Sequence, residues 1–281
     1  MGRQSTNAHR LRKSTLADKR GAVRPLVIVL IVVLIACVVG GIAGGLYLAN
    51  TYSQIKDAEN SQNVEPTLPA SEPKAAAQQA DGKGGKIDFA ALQKSNPDIY
   101  AWIFIPDTHI NYPVCQNPED NSYYLTHSVT GAESDVGAIF SEAQFNHTDF
   151  QDPVTILYGH NGYGSTMFTD LHEYEHQEFL DNHNRIYVYV PGHVYIYQVF
   201  STFSAGDRHI MDAFSFQDES GIQRFIDFLE DPGAIDAHVV DDVEVNVDDK
   251  ILVLSTCTTG VVESQGRYLV CGVMIDDQPT D

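Results

Sequence analysis

Basic residues are scarce in most of this 281-residue chain. Seven of its 17 Lys and Arg, but only one of its 38 Asp and Glu, lie in residues 1–24, so the rest carries 10 basic and 37 acidic side chains. A protein that binds nucleic acid needs a basic face to displace counterions from the phosphates. The scarcity of basic residues after Arg24 therefore excludes nucleic acid as a partner, and the acidic side chains are expected to form mostly solvated surface.

Charge is absent altogether from Leu26 to Asn50. This run exceeds the roughly 20 apolar residues that a helix needs to cross a bilayer, and it predicts a transmembrane helix at residues 26–49. The basic residues before it predict a cytoplasmic tail at residues 1–25 and an extracellular body, as in a single-pass protein of the cell membrane. A cleaved signal peptide is the alternative, but its apolar core would span only about 7–15 residues.

Aromatic residues are few in the next segment, which is rich in Ala, Gln, Pro, Glu and Lys. Such a composition buries too little apolar area to offset the entropy of ordering, so residues 50–86 are predicted to be a flexible stalk. The globular domain is expected at residues 87–278. It begins with Asp88, a good cap for a helix over FAALQKS that ends before Pro97.

Short segments rich in β-branched and aromatic residues dominate the rest of the chain. They are AWIFIP, GAIFS, VTILYGH, RIYVYVP, VYIYQVFSTFS, ILVLSTC and YLVCGVMI. So many short strands predict a mainly β fold, either a barrel or a sandwich. Two helices interrupt them, one at about residues 167–182 and one in SGIQRFIDFLED, where Ser220 and Gln223 fit a capping box.

Cysteine is also scarce, and only three of the four lie outside the apolar run. An odd number leaves at least one thiol unpaired even in an oxidising compartment. Cys37, Cys115 and Cys271 are expected to be small buried apolar residues. Cys257 differs because it ends the strand ILVLSTC, and Arg267 opens the next strand ten residues later. Two antiparallel strands joined in this way bring a thiol beside a cation that favours the reactive thiolate.

A histidine would complete such a site, and His160 ends another apolar strand within VTILYGHNG. Strand ends and the turns after them are where scaffolds usually present reactive groups. Arg267 is permanently charged and has several donors, so it can also hold the oxyanion that forms when a thiolate attacks a carbonyl.

A competing motif is H-E-x-x-H at His172, Glu173 and His176. On a helix this motif places two histidines one turn apart to bind zinc, with the glutamate as base. Phe168, Leu171 and Tyr174 would form the apolar face of that helix, so we expect the two histidines on its solvated side. No G-x-S-x-G sequence is present, which excludes a serine hydrolase elbow.

Taken together, these motifs resemble the sortases, the membrane-bound cysteine transpeptidases of Gram-positive bacteria, and most of all class B. They are YGHN around His160, LSTC ending at Cys257 and GRYLVCGV containing Arg267. Other stretches over residues 87–276, such as NPDIYAWIFIPDTHINYPVCQ, are similar in the same order. The resemblance implies a closed sortase-type β-barrel with accessory helices, preceded by one transmembrane helix.

The resemblance also implies a role for each matching residue. Cys257 would be the nucleophile, His160 the acid that protonates the leaving amine, and Arg267 the group that stabilises substrate and oxyanion. Four further residues would contact the bound peptide: Asn121, Leu125, Tyr158 and Ser255. Some class B members carry an acidic residue two positions after the nucleophile, whereas this chain has Thr259.

The implied substrates are exported proteins with a C-terminal sorting signal, which would be cleaved through a thioacyl intermediate and joined to a peptidoglycan or pilin amine. No metal or organic cofactor is implied, and residues 26–49 would contact the cytoplasmic membrane. The segment 207–241 is expected to help shape the substrate groove. Three alternatives stay open: an H-E-x-x-H zinc hydrolase, a membrane-anchored binding ectodomain without catalysis, and a plain cysteine peptidase that shares the thioacyl intermediate.

Overall fold

The computed structural model of the protein describes residues 25–62, 66, 68, 85–162, 164–258 and 266–280. Contacts divide the chain into two compact units, residues 1–49 and 50–281. Helix α1 (Pro25–Ser61) runs through the apolar segment, and within the described residues it is the one helix with the length and composition to span a membrane. A candidate membrane anchor therefore lies where the charge-free run predicts it.

The structure corrects the start of the expected flexible stalk. Residues 51–61 are helical, because α1 continues to Ser61. Ala58 is 7% exposed and Ile55, three residues before it, packs against the same core cluster. The side-chain oxygen of Gln54 accepts a hydrogen bond from the main-chain N–H of Asp135 at 2.9 Å. This segment therefore packs against the barrel core through Ile55 and Ala58. Most of the remaining stalk lies outside the described residues.

Eight strands close into a barrel, and a ninth short strand extends it. The barrel order is β5, β1, β2, β3, β4, β8, β9 and β6, with β6 pairing back to β5 and β7 pairing with β6. The strands are β1 (Ile99–Phe104), β2 (Asn111–Cys115), β3 (Ile139–Phe140), β4 (Val154–Tyr158), β5 (Arg185–Val190), β6 (His193–Gly206), β7 (His238–Val239), β8 (Ile251–Cys257) and β9 (Gly266–Pro279). The closed barrel confirms the predicted mainly β fold.

Strand β8 is apolar throughout because both of its faces are covered. Leu252 and Leu254 belong to the main core cluster, whereas Ile251 and Val253 pack in a second cluster with helix α5 (Glu219–Glu230). Alternate residues of a strand point to opposite faces, so a strand covered on both sides reads as a continuous apolar run.

Most of the observed helices lie where the sequence predicts them, but their types and caps differ in part from the prediction. Helix α2 (Phe89–Ser95) has Asp88 as its N-cap, as predicted. Instead of one helix over residues 167–182, the chain forms a 3₁₀ helix (Thr169–Glu175) and then α3 (Gln177–Asn182). The short α4 (Ile210–Ala213) precedes α5, which is capped by Asp218 rather than by Ser220 because the Asp218 carboxylate accepts from the Gly221 N–H at 2.9 Å.

Strand β2, which contains Pro113, was not predicted from the sequence. Proline lacks an N–H and is unusual inside a sheet. Here Pro113 pairs with Trp102 of β1, while the parallel pairing with β3 involves only Val114 and Cys115. Pro113 is therefore accommodated because the second neighbouring strand begins after it.

Candidate active site

The thiol and the guanidinium meet at the rim of the barrel. Strands β8 and β9 are antiparallel, and Cys257 and Arg267 are opposite each other in the register. The Arg267 Nη1 atom lies 3.7 Å from Cys257 Sγ. Both residues are half-buried, so the pair is accessible yet partly removed from bulk water. This agrees with the adjacency predicted from the spacing, and it places the permanent positive charge of Arg267 beside the thiol.

His160 lies in the turn that follows β4 and reaches the same rim. Its Nε2 donates a hydrogen bond to the main-chain carbonyl of Leu125 at 2.8 Å. Gly137 makes this approach possible, since a Cβ there would lie 2.5 Å from the Tyr124 carbonyl and 3.1 Å from His160 Cδ2. Gly137 also has a φ of 66°, a conformation that glycine adopts at little cost.

One groove of about 770 Å³ brings the predicted residues together. It is lined by Asn121, Leu125, Tyr158, His160, Ser255, Cys257 and Arg267. Ser255 precedes Cys257 by two residues on β8, and Tyr158 is its partner on β4. Leu125 is 41% exposed and presents an apolar side chain to the groove. The segment 207–241 contributes His209, Phe214 and Phe228 to the wall, as expected.

Two polar groove residues were missed by the sequence analysis. His209 Nε2 lies 2.7 Å from the Glu142 carboxylate and 3.2 Å from the Tyr158 hydroxyl. Burial, with the Glu142 charge nearby, raises the pKa of Tyr158 well above its usual range, and the positive charge of Arg267 opposes this shift. The only sequence signal was that Glu142 follows the short strand β3 almost directly.

The structure does not place His172 and His176 one helical turn apart. Thr169–Glu175 is a 3₁₀ helix, and His176 has the extended values φ −105° and ψ 117° at its end. His176 is exposed, but the expectation of a solvated position was wrong for His172, whose side chain is 21% exposed and whose Nε2 lies 3.0 Å from the Cys257 carbonyl oxygen. Among the described residues, no group of three or more His, Cys, Asp or Glu is arranged to hold a metal ion.

The other two cysteines of the barrel are buried, as predicted. Cys115 and Cys271 are each 0% exposed. Burial raises the pKa of both thiols far above the ordinary value. Neither is disulfide-bonded, so Cys257 is the accessible thiol of the described barrel.

Known proteins share this architecture and sequence. A family model described as "Sortase domain" matches residues 103–275. Sortase B of Listeria monocytogenes is 30% identical over 185 residues, covering 66% of this chain and 72% of the relative. The chain belongs to the sortase family, in class B.

Solved structures support the same assignment for this sortase. A Bacillus anthracis protein described as similar to sortase B has a TM-score of 0.63 and 26% identity, covering 82% of this chain and 98% of that one. A Staphylococcus aureus sortase B–substrate complex has a TM-score of 0.60 and 29% identity, covering 72% and 90%. The closed barrel is thus the sortase fold, and the family assignment makes the protein a cysteine transpeptidase.

Proposed function

We propose that this class B sortase cleaves a C-terminal sorting motif of exported proteins and joins them to a peptidoglycan or pilin amine. Cys257 is the nucleophile, His160 the general acid and base, and Arg267 the stabiliser of the oxyanion. The observation that carries the proposal is the 3.7 Å separation of Cys257 Sγ and Arg267 Nη1 within the groove that His160 also lines. Asn121, Leu125, Tyr158 and Ser255 are proposed to contact the peptide.

The first half of the reaction is acylation. The Cys257 thiolate attacks the carbonyl carbon of a threonine in the motif, and the electron pair of the C=O bond moves to the oxygen. The Arg267 guanidinium donates hydrogen bonds to this oxyanion, which stabilises the transition state more than the neutral carbonyl. The intermediate then collapses, the C–N bond breaks, and His160 gives its proton to the leaving amine.

The second half transfers the acyl group. A primary amine attacks the thioacyl carbon, and the second tetrahedral intermediate again places its negative oxygen near Arg267. The C–S bond breaks, the thiolate is regenerated, and His160 takes the proton that the amine loses on becoming an amide. This chemistry needs neither a metal nor an organic cofactor.

The proposed location makes weak recognition sufficient. The basic residues before α1 favour a cytoplasmic amino terminus, which leaves the catalytic domain outside the cell. Sorting substrates are themselves held at the membrane before cleavage, so tethering raises their effective concentration without tight binding. Protease added to intact cells is expected to degrade the catalytic domain and to spare an epitope placed at residue 1.

Intact mass spectrometry of the full chain in detergent micelles tests the reaction. After incubation with a panel of sorting-motif peptides, we expect a mass gain equal to the amino-terminal part of one peptide. An added amine should discharge this adduct and appear in the product. Cys257→Ala is the control, and it should form no adduct with any peptide.

The alternatives predict different results. A plain cysteine peptidase would form the adduct but release only the hydrolysed peptide when amine is present. A binding ectodomain would form no adduct, and its Cys257 would react slowly with alkylating reagents. A zinc hydrolase would lose activity with a chelator and keep it in Cys257→Ala.

A further inference from the structure

The carbonyl of Cys257 is held by side chains where the strand ladder ends. Strands β4 and β8 are parallel neighbours, and their register ends at Tyr158 and Ser255. The Gly159 N–H still donates to the Ser255 carbonyl at 3.2 Å. Two residues further along β8, the Asn161 side-chain amide donates to the Cys257 carbonyl at 3.0 Å. The Asn161 side chain therefore adds one more hydrogen bond to the β4–β8 ladder, at Cys257 itself.

Asn161 also ties the nucleophile to the turn that carries His160. The Phe168 N–H donates to the His160 carbonyl at 3.1 Å, and Asn161 and Met167 form an antiparallel bridge. The turn is thus anchored on both sides of its loop. Because Asn161 directly follows His160, its bond to Cys257 fixes the distance between the two proposed catalytic residues.

His172 supports the same carbonyl from the 3₁₀ helix. Its Nε2 lies 3.0 Å from the Cys257 carbonyl oxygen and 3.0 Å from Asn161 Nδ2. Its Nδ1 donates to the Glu175 carboxylate at 2.6 Å. The imidazole stacks on Tyr268, with ring centroids 4.9 Å apart. If the His172 ring is charged, its Nε2 donates directly to the Cys257 carbonyl. If the ring is neutral, Nε2 instead accepts one hydrogen of the Asn161 amide, and the other hydrogen of that amide is donated to the Cys257 carbonyl.

We infer that Asn161 and His172 are positioning residues, which hold the Cys257 main chain so that its thiol stays aligned with Arg267 and His160. The inference rests on the proposed function, because it concerns the geometry of the same reaction. A displacement of a reacting group by about 1 Å can lower the rate about 100-fold. Side-chain bonds to one carbonyl can therefore control the rate without touching the substrate.

The test compares Asn161→Ala, His172→Ala and the conservative His172→Gln, whose amide can still donate to the carbonyl. The measurements on the full chain are kcat and KM with a peptide and amine, and the pH profile of Cys257 alkylation by iodoacetamide. We expect kcat to fall at least about tenfold in both alanine variants, with KM within about twofold of the unmodified value. The pH profile of Cys257 alkylation should change because the thiol loses its alignment with Arg267, and His172→Gln should restore much of both values.

The matched control is His147→Ala. His147 is another histidine that pairs with a carboxylate, that of Asp152, but its side chain is 83% exposed. This variant should leave kcat and the alkylation profile unchanged. A lower melting temperature with kcat and alkylation like the unmodified protein would show a merely structural role and overturn the inference. If His172→Ala does not fold, Asn161→Ala and His172→Gln carry the test.

Failure of the proposed function gives a different pattern. In that case the unmodified protein forms no thioacyl adduct, while the alkylation profile of Cys257 still shifts in the variants. If the unmodified protein is active and the variants keep its kcat and its Cys257 alkylation profile, the inference is refuted and the proposed function stands.

Discussion

Two cysteines on one strand pair lie in opposite surroundings. Cys271 is opposite Val253 in the middle of the β8–β9 ladder, within the apolar cluster that includes α5, and is 0% exposed. Cys257 is at the end of the same ladder, opposite Arg267 and half-buried in the groove. The residue type and the sheet are the same. Position along the strand therefore decides whether a thiol is a packing group or a candidate nucleophile.

The difference follows from how charge is solvated. A thiolate loses its solvation in an apolar cluster, so burial raises the pKa of Cys271 far above the ordinary value. A thiolate at the rim has the Arg267 guanidinium at 3.7 Å. One pair of strands thus carries both a buried thiol and a thiol that lies beside a cation at the rim.

The largest expected effect distinguishes the two thiols by activity. Cys257→Ala should lower the transpeptidation rate at least about 1,000-fold, because the covalent route is lost. Cys271→Ala should keep kcat within about twofold in the folded protein, since it removes only a packing atom. Steady-state kinetics on both variants provide the measurement. Comparable losses of kcat in the two variants would contradict the view that Cys257 reacts and Cys271 only packs.

A second variant isolates the contribution of the cation. Arg267→Ala should lower kcat by about 100-fold or more, since the donors to the oxyanion are removed. Arg267→Lys keeps the charge but not the two-pronged donor geometry, so its kcat should lie between those of Arg267→Ala and the unmodified protein. A lysine variant with full kcat would mean that charge alone suffices.

Alkylation compares the thiols without any substrate. Iodoacetamide should modify Cys257 at least about 100 times faster than Cys115 or Cys271, because only Cys257 combines access with a nearby cation. Peptide mapping after timed quenching measures the three rates. In Arg267→Ala the alkylation rate of Cys257 should come closer to those of Cys115 and Cys271. Equal alkylation rates of the three thiols in the unmodified protein would contradict the structure.

A polar substitution at the buried cysteine should lower the stability of the fold and leave the catalytic rate unchanged. Cys271→Ser places a hydroxyl in an apolar cluster, which should lower the free energy of unfolding by about 1–3 kcal/mol. Denaturant titration measures this loss. A change of less than about 0.5 kcal/mol would indicate that the hydroxyl finds a partner there.

The smallest expected effect lies at the surface and depends on pH. A hydrogen bond to Asp152, with the charge of that carboxylate, raises the pKa of His147. Stability from this pair is fully present below the ordinary histidine pKa of about 6.5 and is lost as the pH rises through the raised value. His147→Ala should thus lower the melting temperature slightly at pH 5.5 and leave it unchanged at pH 9. The reverse order would contradict the sign of the shift.

Particular residues show which features could be predicted from the sequence. The β8–β9 pair could be predicted because ten residues and two strands leave few ways to arrange Cys257 and Arg267. Residues 51–61 were misjudged because Ile55 and Ala58 give a helical pattern that only the barrel surface makes stable. The His172 motif was misread as a solvated helix face because its partner, the Cys257 carbonyl, is 85 residues away in the chain.

Most of the strands, the charge-free helix and the thiol–guanidinium pair could be predicted, since each follows from local periodicity or from a short connection. The distant groups that surround this pair could not be predicted in the same way, because the fold of the whole barrel brings them there. Asn161 meets Cys257 across 96 residues and His209 meets Glu142 across 67. Barrel closure makes these contacts, because a strand's neighbour is selected by the whole sheet and not by the residues on either side of it.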